Sequence, residues 1–157
     1  MSKTIINAPE GSLAMSMERV FPAPRERVFA AYTDAKAIPE WWGPRSLTTT
    51  VEKLEPRAGG QWRFVQRDQA GNVYGFHGVY HACVAPERLV QTFEFEGAPG
   101  HVLLESVRFE SVAAGTKVTV DSVFPDLATR NGMMEHGMTE GAIETWDRFE
   151  ELLKKSL

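Results

Sequence analysis

The chain has 157 residues, 43% of them hydrophobic and 24% charged, with a net charge of −4 at neutral pH. This is material for one globular domain with a sizeable core; it is too apolar for a disordered chain and lacks the basic footprint of a nucleic-acid binder. No apolar run approaches the ~18–20 residues needed to span a bilayer, and the single cysteine, Cys83, has no internal disulfide partner, as expected in a reducing compartment.

Residues 1–11 hold one lysine and two adjacent isoleucines. A signal peptide needs an apolar core of ~7–15 residues, so this segment reads as a flexible lead-in to a cytoplasmic protein, and 12–157 as a single domain. Leu13, Met15 and Met17 then alternate with Ala14, Ser16 and Glu18, which is the pattern of a strand with one buried face. Pro22-Ala23-Pro24 ends that strand, and Pro24 suits the start of a helix carrying Val28, Phe29, Ala31 and Tyr32. Asp34 can cap a second short helix through Ile38, which stops before Gly43-Pro44. Strand signals follow over Leu47–Leu54, Gln61–Arg67, Val73–Val84, Arg88–Glu96, His101–Ser111 and Thr116–Phe124, separated by turn residues such as Gly59-Gly60 and Asp68-Gln69-Ala70-Gly71-Asn72. That spacing argues for an antiparallel meander.

From Arg130 to Lys155 the period changes. Met134, Met138, Ala142, Trp146, Phe149 and Leu153 fall on one stripe of a long helix, while Gly137 and Gly141 leave a bare patch. An antiparallel sheet must bury one face, and this helix is the one element long enough to cover it. A curved sheet around a helix leaves a gap, and the gap is the place to look for function. In Val73–Val84 the even positions Tyr74, Phe76, Gly78, Tyr80 and Ala82 match the apolar helix stripe and are expected to face inward.

The order of elements and a set of motifs resemble a known family. The motifs are Arg19-Val20-Phe21-Pro22-Ala23-Pro24, Val28-Phe29-Ala30-Ala31-Tyr32-Thr33-Asp34, Trp41-Trp42-Gly43-Pro44 and Gly59-Gly60-Gln61-Trp62-Arg63-Phe64. Gly78-Val79-Tyr80, Pro86-Glu87-Arg88-Leu89-Val90, Gly115-Thr116-Lys117-Val118-Thr119-Val120 and the helix with Gly141, Trp146 and Leu153 complete the set. Over residues 12–155 the chain resembles the heat-shock-protein-90 ATPase activator homologues. These belong to the START-like, birch-pollen-allergen-like helix-grip superfamily (SRPBCC). The resemblance implies an α+β helix-grip fold: a seven-stranded curved antiparallel sheet around a long C-terminal helix, two short helices between strands 1 and 2, and a hydrophobic cavity. It also implies binding of lipid-, sterol- or polyketide-like molecules, in a few members ring closure, and in the member that names the family a co-chaperone role in the stress response. Family members often carry an acidic residue followed by Ile at the end of the strand after Gly78-Val79-Tyr80; here Ala82-Cys83 stand there, which argues against shared chemistry at that position.

The candidate ligand-cavity residues are Trp41, Trp42, Trp62, Phe64, Phe76, Tyr80, Phe93, Met134, Met138 and Trp146. Each has a plain packing alternative, because aromatics bury large areas for stability alone and Met fills irregular cores as readily as it suits a promiscuous pocket. A catalytic site is not evident. No nucleophile elbow, Cys–His signature, P-loop or dinucleotide-binding glycine pattern is present. His77 and His81 sit ~13 Å apart along one strand face, too far to share a metal, and no metal or cofactor is expected. General acid–base chemistry remains open to whichever of Glu105, Asp121, His77, His81 or Arg108 faces the cavity.

The leading expectation is therefore a monomer or homodimer that binds a small hydrophobic or amphipathic ligand, contacts no nucleic acid and does not span a membrane. The alternatives are a cyclase- or hydrolase-like enzyme using the same cavity, and a chaperone-interacting domain.

Overall fold

The computed structural model describes residues 3–155. In chain order these form β1 (Ile5–Asn7), β2 (Ala14–Phe21), α1 (Arg25–Tyr32), α2 (Ile38–Trp41), β3 (Thr48–Leu54), β4 (Gln61–Arg67), β5 (Val73–Val84), β6 (Arg88–Phe95), β7 (Leu103–Val112), β8 (Gly115–Val123), α3 (Leu127–Glu135) and α4 (Met138–Lys155). The strands make one antiparallel sheet in the order β1-β2-β8-β7-β6-β5-β4-β3. From β3 to β8 this is a meander of successive neighbours, and β2 closes onto β8. The helix-grip fold is thus present, with α4 across the inner face of the sheet.

The sheet has eight strands rather than seven, because part of the lead-in is structured. Ile5–Asn7 pairs with Ser16–Glu18. Two arginines tie the segment down: Arg19 Nη1 donates to Thr4 Oγ1 at 3.0 Å, and the buried Arg130 donates through Nη2 to the carbonyls of Ala8 and Pro9, each at 3.0 Å. Both partners lie far away in sequence, so nothing local announces the strand.

The expected single helix from Arg130 is two helices. Asp126 caps α3 by accepting a hydrogen bond from the Thr129 N–H at 2.7 Å. The chain then turns at Gly137, whose φ of +86° is the left-handed conformation that a Cβ disfavours. The second short helix also begins later than expected, at Ile38 rather than just after Asp34. Asp34 does act locally, accepting from the Lys36 N–H at 2.9 Å.

The aromatic core lies between sheet and helix. Phe21 meets Trp146 and Phe149 edge-on at 5.3 and 5.0 Å, and Trp41 lies 4.3 Å from Phe149. Tyr32 meets Phe109 and Phe149 edge-on, each at 5.3 Å. Such pairs add ~0.5–1.5 kcal/mol each beyond the area they bury. In β5, Phe76 and Tyr80 face this core as the alternation implies, and Gly78 lies under Trp62: a Cβ there would sit 2.0 Å from the Thr92 carbonyl oxygen and 2.5 Å from Trp62 Nε1. A bulge between Tyr80 and Ala82 then shifts the register, so that Cys83 is the next side chain to pack on the core.

Candidate functional site

The inner face of the sheet and α4 do not meet along their whole length. Between them is a cavity of about 320 Å³, close to the ~300 Å³ at which ligand pockets begin. β2 and β4 through β8 contribute its floor, α4 and the end of α3 its roof, and α1, α2 and the Trp42-Gly43-Pro44 turn one side. Arg148 fixes that turn to α4 by donating to the carbonyls of Gly43 at 2.7 Å and Glu40 at 2.9 Å. Gly141 and Ala142 present little bulk to the cavity. A Cβ added at Gly141 would meet nothing within 4 Å.

Seven of the ten residues expected to line a cavity do so: Trp41, Trp42, Trp62, Phe76, Phe93, Met138 and Trp146. Phe64 and Tyr80 are buried in the core beside it without lining it. Met134 is displaced by Met133, because the break at Gly137 rotates α3 relative to α4 and the stripe does not run through. Sequence reasoning did not single out Met17, Gln66, Gln91, Leu103, Val107 or Val120. Alternation in β6, β7 and β8 was the signal that could have found Gln91, Val107 and Val120.

Of the five titratable candidates, one faces the cavity. Glu105 on β7 is surrounded by protein, and its remaining accessible surface lines the cavity. Burial pushes its carboxyl up to about 7, opposed weakly by a hydrogen bond from Gln91. That bond is long, 3.4 Å from Gln91 Nε2 to Glu105 Oε1. Tyr32 and Trp146 meet above it. The indole Nε1–H donates to the Tyr32 hydroxyl at 3.1 Å, and burial drives the Tyr32 pKa upward. The other four candidates face away. His77 lies on the outer face with Nδ1 2.9 Å from Glu96 Oε2 and Nε2 3.3 Å from Glu94 Oε1. Arg108 and Asp121 pair with each other at 3.3 Å on the same outer face, and His81 is exposed. Among the described residues, no three His, Cys, Asp or Glu side chains gather as metal ligands would.

A second acidic centre is buried at the other end of α4. Glu150 accepts from Arg19 Nη2 at 3.0 Å and lies 3.1 Å from Lys154 Nζ, while Arg19 Nη1 reaches Asp147 at 2.7 Å. Burial alone would raise the Glu150 pKa, but the hydrogen bonds from Lys154 and Arg19 outweigh it and hold the carboxyl below its ordinary value. This is a satisfied ion-pair network.

Three solved structures share this fold. A protein from Rhodobacter sphaeroides superposes with a TM-score of 0.90 at 22% identity, covering 98% of this chain and 99% of its own. One from Mycobacterium smegmatis gives 0.87 at 21% identity over 98% and 97% of the two chains. The solution structure of a protein from Arthrobacter aurescens gives 0.89 at 25% identity over 96% and 91%. No protein with a curated description matches the chain. A family model matches residues 22–154, from the proline after β2 to the last turn of α4, and the chain accordingly belongs to the family described as activator of Hsp90 ATPase homolog 1-like proteins.

Proposed function

We propose that the protein binds a small, largely apolar molecule in the cavity between the sheet and α4. Family membership supports a ligand-binding or co-chaperone-like domain. The observation that favours ligand binding is the cavity itself: an interior otherwise packed with interlocking aromatics leaves about 320 Å³ unfilled, directly beneath a helix that presents Gly141 and Ala142. The pocket is open to solvent on one side, and an apolar molecule seated against its aromatic walls would gain dispersion contacts that water there does not supply. At ~30 Å³ for each water-sized group, it accommodates on the order of ten heavy atoms or somewhat more, the size of a compact aromatic or short-chain molecule rather than a sterol.

Titration of intrinsic tryptophan fluorescence with 2-phenylethanol tests this, since Trp41, Trp42, Trp62 and Trp146 all line the cavity. The expected result is a saturable, single-site change that is lost in Gly141→Leu, whose side chain grows into the open space. No change in the wild type, or equal binding by Gly141→Leu, contradicts the proposal.

The enzymatic alternative has one specific observation in its favour. Glu105 is a half-buried, cavity-lining carboxyl that desolvation pushes up to about 7, and such groups serve as general acids or bases. On that reading Glu105→Gln removes all turnover of a substrate while leaving its binding intact.

A further inference from the structure

We propose that the molecule held in the cavity is an organic cation, a hydrophobic amine whose ammonium group takes Glu105 as its counter-ion. This rests on the cavity being a binding site, and it adds the chemical class of the ligand. Three observations carry it.

The first is an imbalance of charge. Glu150, fully buried, has Arg19 and Lys154. Glu96, half-buried on the outer face, has Arg63 and His77. Glu105 alone of these three has no cation: among the described residues, no lysine, arginine or histidine pairs with it, and its hydrogen bond comes from the neutral Gln91 amide. A buried carboxylate without a cation is costly, and an incoming ammonium supplies the missing partner.

The second is the row in which Glu105 sits. Register places Gln91 on β6 and Ser122 on β8 directly beside it. Gln91 lines the cavity, and its side-chain amide carries an acceptor oxygen as well as the donor, which suits a polyvalent donor such as an ammonium. Among the described residues, no cation lines the cavity that would favour an anionic head group instead.

The third is the composition of the walls. Trp42, Trp62, Phe76 and Phe93 form a continuous aromatic cluster with centroid separations of 5.2 to 6.3 Å, and all four line the cavity. Aromatic faces attract cations through the ring quadrupole. An apolar body with an ammonium end therefore finds both of its halves matched.

The pH dependence follows from the groups that face Glu105. From β2, β4, β6, β8, α2, α3 and α4 the lining residues are Met17, Trp41, Gln91, Met133, Trp146 and others that do not titrate; from α1 comes Tyr32, held neutral by burial. Glu105 is thus the one lining group that changes charge near neutrality. Amine binding favours its ionised form, so affinity rises with pH through about 7.

Three probes of matched size separate the possibilities: 2-phenylethylamine, 2-phenylethanol and 3-phenylpropionate, titrated by calorimetry against the wild type and Glu105→Gln. We expect the amine to bind the wild type ~tenfold or more tightly than the alcohol at about pH 8, with the carboxylate weakest. At about pH 5.5 the amine should lose several-fold in affinity while the alcohol does not. Glu105→Gln, close to isosteric, should erase both the preference and the pH dependence. If the alcohol binds and the amine binds no better, or if Glu105→Gln keeps the preference, the amine assignment is overturned and the cavity reading stands. If none of the three binds, both fall.

Discussion

Toward the C-terminal half of α4 the groove between helix and sheet is full. Phe149 is enclosed by Phe21, Tyr32 and Trp41, and the buried Arg19–Glu150 pair is completed by Asp147 and Lys154. Toward the N-terminal half it is open. Gly141 and Ala142 replace large side chains, Met133 and Met138 edge the space, and Glu105 stands without a cation. One helix and one sheet thus carry two kinds of interior. The difference shows what a buried acid alone does not: Glu150 is 1% exposed yet is part of the scaffold, because Arg19 and Lys154 partner it. Glu105 is the acid whose surroundings are incomplete.

The largest effect should come from the filled half. Phe149→Ala removes a fully buried ring and should cost ~3–5 kcal/mol in denaturant unfolding. A loss of under ~1 kcal/mol would mean that this half is loosely packed after all. Arg19→Met should cost about 3 kcal/mol, toward the low end for a broken buried pair because Lys154 remains beside Glu150. Its loss should be smaller in acid, where protonated Glu150 no longer needs the cation, since a carboxyl held below its ordinary value contributes stability that disappears as pH falls through its folded pKa.

In the open half the sign reverses. The Glu105 carboxyl stays neutral in the fold up to about 7, whereas in the unfolded chain it ionises near 4.5. Its contribution is intact below pH 4.5 and is lost as pH rises through about 7. Glu105→Gln should therefore be more stable than the wild type by up to ~3 kcal/mol at about pH 8 and near parity at about pH 4, read from unfolding midpoints across pH. A variant less stable than wild type at about pH 8 would place an unseen partner on Glu105. Gly141→Ala should have the smallest effect, a gain of ~0.5–1 kcal/mol from helix propensity alone, because no atom lies in the way of its methyl group. Any loss of stability there would show that the space is not open.

Much of this division was legible before the fold was. The alternation in β2 and β5, the turn residues and the stripe Met138, Ala142, Trp146, Phe149, Leu153 point to a helix laid on an antiparallel sheet, and the resemblance completed the topology. What stayed hidden depends on contacts distant in sequence or on one backbone angle. Ile5–Asn7 is a strand because Arg19 and Arg130 hold its flanks. Met133 takes the place expected of Met134 because Gly137 turns the chain. Phe64 and Tyr80 share the inward parity of the cavity residues but lie where other rings cover them, and parity gives a face without giving a depth. The same limit applied to Glu105. It was one of several acids and bases on strands, and only its register beside Gln91 and Ser122, under the cavity, sets it apart.

The six methionines offer the most direct test of the central claim, that the open half is a binding site. Met17, Met133 and Met138 line the cavity; Met15 is buried with Leu103 and Phe124 in a cluster that Met133 and Met138 pack against, and Met134 lies off the lining. Methyl NMR spectra of the protein with labelled methionine, recorded during titration with 2-phenylethanol, should show saturable shifts at Met17, Met133 and Met138 with Met134 unmoved. Shifts confined to Met134, or none at any methionine at saturating probe, would contradict the account.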